Sequence, residues 1–425
     1  MKYLVISFLM LLSLVAKPQN PAKQTTSTIE EGGFEYYRLE RINNLIQEYV
    51  DKKWLIGANA LILYNGETVF NKAYGIQKTN PDKKMKNDAI YRIASQTKAI
   101  TSVAVMILYE EGKFLLDDPI SKYIPAFANP KILKTFNEKD SSYTTEPAKK
   151  EITIRELLTH TSGIGYAQIG SPSMRAIYEK AGIVAGFSIE KRKLEDMINT
   201  LGTLPLEHNP GERFTYSMSI DVLGRLVEVT SGQNLEVFFK ERIFEPLRME
   251  DTYFNLPVKK QSRLVQVFTE DSNTGQIIPW TSNPTPGMTV DFPINNNGLY
   301  AGGAGLVSTI GDYGKFLQMI LKKGESPSGR RILARRTVEM MSQNQIGELS
   351  LGPDKFGLGF QITTKNGQAK LGMTKGSLSW GGYFGTSYWA DPKENIVCLF
   401  FTQQTNNSHG DIADKFKAMV YQALK

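Results

Sequence analysis

The sequence predicts an α/β plus all-α chain: one antiparallel β-sheet flanked by N- and C-terminal helices, with a mostly helical domain inserted between its halves. Three observations carry this. β-patterned segments lie near both ends of the 425 residues, helix-periodic runs stand outside them, and the stretch from Ile152 to about Met341 reads as short helices and long loops. The reading assigns 35–115 and 345–425 to the sheet domain and 116–344 to the helical one.

Taken in order, Ile42, Leu45, Ile46, Tyr49 and Val50 recur at helical spacing. A hairpin follows, Ala58 to Tyr64 and Thr68 to Gly75, turned by Asn65-Gly66, a type I′ signal. Ser95 to Glu110 is helical, with Val103, Ile107 and Leu108 as its apolar stripe and Gly112 closing it. Residues 129 to 150, rich in Lys, Thr and Ser, read as a surface strap, and 271 to 301 as a long loop. Near the end, Phe356 to Thr363, Gly382 to Ala390 and Ile396 to Thr402 alternate as strands. Asp391-Pro392-Lys393-Glu394-Asn395 turns the last pair. Ile412, Phe416, Met419, Val420 and Ala423 mark a closing helix.

Met1-Lys2, the apolar run Tyr3 to Ala16 and the polar residues after it describe a secretory signal peptide, 1–22, cut near Ala16 or Ala22. Its run is shorter than the roughly twenty residues of a spanning helix, so an uncleaved anchor is the second reading. Residues 23–34 read as a disordered leader. The expected location is therefore periplasmic or secreted, with no membrane span beyond the signal segment. Net charge is +7, yet Lys and Arg are scattered among Glu and Asp, as in Glu190 to Asp196. That is a solvated surface and argues against a nucleic-acid partner. The single cysteine, Cys398, lies in an apolar run and reads as a small buried hydrophobe.

Absences narrow the chemistry. There is no Gly-x-Ser-x-Gly elbow, no His-Glu-x-x-His and no cysteine cluster, so neither an α/β-hydrolase nucleophile nor a standard zinc site is expected, and no cofactor. Ser95-Gln96-Thr97-Lys98 remains. Serine and lysine three apart share a helix face, and a lysine with a lowered pKa can take the serine proton. The Ser95 N–H, at a helix start, can bind a developing oxyanion. A second match, Ser188-Ile-Glu-Lys191, sits among charges and reads as an exposed helix face. Tyr216, on a loop entering a helix (Val222, Leu223, Leu226, Val227), can donate or accept a proton. The glycines of Trp380-Gly381-Gly382-Tyr383 open a strand and allow close approach by a ligand or another backbone.

Taken together, Tyr91-Arg-Ile-Ala-Ser-Gln-Thr-Lys98, Leu116-Asp-Asp-Pro119, Leu157-Leu-Thr-His-Thr-Ser-Gly163, Pro210-Gly-Glu-Arg-Phe-Thr-Tyr-Ser217, Ile243-Phe-Glu-Pro-Leu247, Gly302-Gly-Ala-Gly-Leu-Val-Ser-Thr309 and Trp380-Gly-Gly382 are highly specific. From about residue 40 onward the chain resembles the serine β-lactamase and penicillin-binding superfamily, in its class C-related branch with the family VIII carboxylesterases. The resemblance implies a β-lactamase/transpeptidase-like fold, Ser95 as nucleophile, Lys98 and Tyr216 as general acid/base pair, and the Ser95 and Tyr383 N–H groups as oxyanion donors. It implies substrate contacts from Met218, Trp380, Gly381 and Gly382, and a structural place for His160.

Two departures matter. Met218 stands where the β-lactamases carry an amide-binding Asn, and Trp380 where they carry a carboxylate-binding Lys. Losing that charge-assisted bond costs about 1.5–3 kcal/mol. Both changes are similar to the esterase members, and Lys375 is the nearby cation that could replace the charge. The expected activity is therefore hydrolysis of small carboxylic esters through an acyl-enzyme. The alternatives are a D-amino-acid peptidase or amidase, a weak β-lactamase, or a catalytically silent binding or sensor ectodomain.

Overall fold

The computed structural model describes residues 33–188, 192–280, 288–295 and 298–425. The signal segment and most of the proposed leader lie outside the described residues. The leader's end is ordered: Phe34 is buried, bridges Leu424, and the Gly33 carbonyl accepts the Lys425 N–H at 2.9 Å. An aromatic side chain at that position buries too much apolar surface to stay in solvent.

The sheet comprises β1 (Gly57–Tyr64), β2 (Glu67–Lys78), β3 (Lys83–Lys84), β4 (Lys355–Phe356), β5 (Gln361–Ile362), β6 (Leu378–Gly382), β7 (Thr386–Asp391) and β8 (Ile396–Phe401). It is antiparallel throughout, in the order β4-β5-β6-β7-β8-β1-β2-β3, so the N-terminal hairpin pairs with the C-terminal strands. Leu61 lies opposite Leu399 and Ile62 opposite Cys398, and alternation sends the two pairs to opposite faces.

On one face Ala60, Ile62, Cys398, Phe400 and Trp389 pack beneath α1 (Tyr36–Asp51) and α5 (Ile412–Ala423), through Ile42, Ile46, Phe416 and Val420. On the other, Leu61, Leu63, Leu399 and Phe401 meet α2 (Thr97–Glu110) and α4 (Ile310–Leu321). This second cluster runs unbroken into the helical region, where α3 (Ser219–Ser231) packs on α2. Helix α4, within the segment read as helical insertion, lies against β1 and β8.

The N-terminal hairpin matches expectation, with Asn65 and Gly66 both at positive φ, 51° and 89°. The C-terminal strands depart from it. The segment from Phe356 to Thr363 reverses in the middle, giving β4 and β5 closed by the Gly357 N–H on the Phe360 carbonyl at 2.8 Å. The strand read as Gly382 to Ala390 is interrupted by a turn at 383–385, so the two glycines end β6 rather than open a strand. The strap at 129–150 is an exposed hairpin, Lys131–Phe136 with Tyr143–Pro147. Ser188 is buried and outside any helix, correcting the exposed-face reading; Lys191 is not among the described residues. Cys398 is buried, and burial raises its thiol pKa well above normal. No helix among the described residues is long and apolar enough to cross a membrane.

Candidate active site

Ser95 is delivered by a sharp change of direction. The strand Ile90–Arg92 pairs with Val307–Thr309, and the chain then turns at Ala94, whose φ of 45° is left-handed. Such a backbone costs an alanine about 1–2 kcal/mol. It is held on both sides: the Arg92 guanidinium donates to the Val265 carbonyl at 2.8 Å, and Tyr313 Oη donates to the Gln96 carbonyl at 2.8 Å. Ser95 occupies the short 3₁₀ turn Ala94–Gln96, and Lys98 the first turn of α2.

Tyr216 reaches Ser95 from the loop before α3, its Oη donating to Ser95 Oγ at 2.6 Å. The Leu157–Gly163 motif supports that loop. The His160 carbonyl accepts the Thr215 N–H at 2.8 Å, His160 Nδ1 pairs with Ser217 Oγ at 3.0 Å, and its ring lies 4.9 Å from that of Tyr216. Tyr166 stacks on Tyr216 at 5.4 Å. His160 is therefore a support, as the sequence suggested. Burial first, and the Lys98 charge second, hold its pKa well below the usual value, so it stays neutral.

Lys98 Nζ donates to the Gly303 carbonyl at 2.7 Å and to Ser95 Oγ at 3.4 Å, and stands 4.8 Å from the Tyr216 ring centre. The expectation of a lowered lysine pKa fails. Burial works in that direction, but the hydroxyls of Tyr166 and Tyr216 and the Asp221 carboxyl outweigh it and hold Lys98 above its ordinary value.

The two N–H groups expected to bind an oxyanion are available. Among the described residues neither the Ser95 nor the Tyr383 N–H has a hydrogen-bond acceptor, and both residues line one cavity of about 500 Å³. Gly382 brings them together. A Cβ there would lie 2.5 Å from the Ile93 carbonyl and 2.3 Å from Thr386 Oγ1. The glycine thus permits the close backbone approach, and Gly381 lines the cavity.

Trp380 forms a wall of the cavity, 5.4 Å from Tyr216 and 5.5 Å from Phe356 between ring centres, and Ile169 and Tyr383 are exposed at its lining. Met218 does not belong to it: the side chain is fully buried in the core, and its backbone N–H bonds the Gly165 carbonyl at 3.0 Å. Lys375 does not line the cavity either. Lys417 of α5 does, with Asp414 beside it at 3.3 Å. Sequence reasoning missed Tyr166, Phe356, Asp221 and Gly303. The Gly302–Thr309 motif was the only signal for the last of these.

Residues 42–422 match the family model described as Beta-lactamase. Protein Rv1367c of Mycobacterium tuberculosis (strain ATCC 25618 / H37Rv) is 30% identical over 382 residues, 87% of this chain and 90% of its own. Esterase EstB of Burkholderia gladioli is 29% identical over 377 residues, 85% of this chain and 89% of its own. Among solved structures, EstCE1, described as a hydrolase with promiscuous acyltransferase activity, superposes with a TM-score of 0.75 at 24% identity, covering 90% of this chain and 98% of that one. At that identity the likeness speaks for the fold, a β-lactamase/transpeptidase fold.

Proposed function

The chain belongs to the Beta-lactamase family, in its class C-related branch, and is a serine hydrolase; from that premise we propose that it hydrolyses small, largely uncharged carboxylic esters through an acyl-enzyme on Ser95. The observation that carries this reading is Ser95 Oγ held between Tyr216 Oη at 2.6 Å and Lys98 Nζ at 3.4 Å, beside an indole at Trp380.

The general acid/base is the Lys98–Tyr216 pair, with Tyr216 Oη against Ser95 Oγ. Ser95 Oγ attacks the ester carbonyl while its proton passes to that pair, and the oxyanion settles on the N–H groups of Ser95 and Tyr383. Collapse breaks the ester C–O bond, and the departing alkoxide takes the Tyr216 proton. Water then attacks the acyl-enzyme, Tyr216 accepts its proton, and Ser95 recovers it as the acid leaves.

A neutral ester needs no fixed counter-charge. The cation that lines the cavity, Lys417, has Asp414 as its partner, and Trp380 offers an apolar wall. EstB carries esterase in its name, which supports the same substrate class. A panel of short-chain esters, a cephalosporin and a D-alanyl peptide tests this, with ester turnover expected to exceed the others well. Faster cephalosporin or peptide turnover would overturn it. On the N-terminal sequence we further propose export to the periplasm or beyond. Mass spectrometry of the native protein should find its N-terminus after residue 16, and a cytoplasmic pool retaining Met1 would contradict that.

A further inference from the structure

Asp221 is a buried carboxyl that this mechanism leaves unused. It lies on α3, five residues after Tyr216, and is 1% exposed. Among the described residues it forms no ion pair within 4 Å. Its Oδ1 accepts the Gly303 N–H at 2.9 Å, and the carbonyl of that same residue accepts Lys98 Nζ at 2.7 Å. A continuous path therefore runs from the carboxyl through residue 303 to Lys98 and on to Ser95 Oγ. Residue 303 is fitted to it, since a Cβ there would lie 2.3 Å from Asp221 Oδ2. The carboxyl lines neither the main cavity nor the cleft beneath Ser95, so it cannot touch substrate there.

We propose that Asp221 is a positioning residue for the nucleophile: it fixes Gly303, and through it holds Lys98 Nζ against Ser95 Oγ. This rests on the reading of Ser95 as nucleophile. Burial raises the Asp221 pKa, and the Lys98 charge and the Gly303 N–H oppose that rise. Asparagine keeps an oxygen for the Gly303 N–H and removes the charge.

Lys98 is faced by Tyr166 and His160 from the segment around the helix Ile154–Leu158, by Tyr216 from the loop before α3, by Asp221 on α3 and by Tyr388 on β7. Of these, Asp221 is the acid. Asparagine there removes the acid among these groups, so the Gly303–Lys98 contact is held less firmly against Ser95 Oγ.

The test measures the rate of Ser95 labelling by a fluorophosphonate, and kcat and KM separately for a short-chain ester at neutral pH, on wild type, Asp221→Asn and Asp312→Asn. Asp312 is another buried carboxyl, accepting the Asp251 N–H at 2.7 Å, away from the cavity lining. We expect Asp221→Asn to lose about tenfold in kcat and in labelling rate with KM unchanged. Asp312→Asn should alter melting temperature and keep wild-type kcat. If Asp221→Asn does not fold, Asp221→Ser, smaller and still an acceptor, carries the same prediction. A kcat unchanged in Asp221→Asn, or one that falls equally in Asp312→Asn, overturns the proposal for Asp221. A wild type that neither labels nor turns over ester overturns the underlying reading instead.

Discussion

Lys98 and Tyr216 converge on one oxygen atom, and the energetics of removing them should show it. Tyr216→Phe deletes the 2.6 Å bond to Ser95 Oγ while the contacts of its ring with Tyr166, His160 and Trp380 remain. Stability should fall by only about 0.5–1.5 kcal/mol, the net worth of one hydrogen bond. Turnover should fall by about 10²–10⁴, the usual contribution of a positioned acid/base. Lys98→Ala removes the other member of the acid/base pair and should cost a similar factor. The two groups act on the same proton, so the double variant should lie within about tenfold of the worse single one. Independent contributions would instead multiply, to about 10⁴–10⁸. The assay is kcat and KM for a chromogenic short-chain ester, at a temperature where circular dichroism shows all four proteins folded. Multiplying losses would refute the shared proton, and a Tyr216→Phe loss below about tenfold would refute Tyr216 as its acceptor.

Gly382→Ala drives a methyl group against the Ile93 carbonyl, which accepts the Gln96 N–H at 3.0 Å and so belongs to the turn carrying Ser95. It should cost about 1–3 kcal/mol and at least tenfold in kcat. Gly381→Ala, whose Cβ meets only Thr386 O at 3.3 Å, should melt close to wild type; equal melting temperatures would remove the argument. Buried His160 has a pKa below its unfolded value of about 6.5, so its contribution to stability is full above that pH and is lost as pH falls toward the folded value. Urea unfolding at pH 7, 6 and 5 should give a wild-type slope steeper than that of His160→Gln by about 1.4 kcal/mol per unit, and parallel slopes would contradict this. Trp380→Lys should raise the cephalosporin-to-ester ratio by about 10–100-fold, the worth of a charge-assisted bond, without reaching full lactamase rates. An unchanged ratio would show that residue 380 does not set charge preference.

What was legible in the sequence is what short-range chemistry decides. The Asn65-Gly66 turn and the spacing on α1 and α5 are decided locally, and each survives in the structure, whereas β1 is buried on both faces. Where glycine-containing turns interrupt alternation, at 357–359 and 383–385, two short strands read as one, because the pattern continues across the reversal. The site was legible in its chemically distinctive residues, Ser95, Lys98 and Tyr216, which the fold does bring together. The network behind them was not. Asp221 reaches Lys98 through Gly303, 205 residues from the lysine and 82 from the acid. Met218 shows the converse: the motif places it beside substrate, but the start of α3 turns its side chain into the core.

Covalent labelling addresses the central claim most directly. A fluorophosphonate should modify the wild-type protein once, and peptide mapping should place the adduct on Ser95. Ser95→Ala should take no label, whereas Ser188→Ala, which alters a buried serine outside the cavity lining, should label as wild type does. Stoichiometric label on Ser95→Ala, or an adduct mapped to any other residue, would contradict the assignment of Ser95 as the nucleophile.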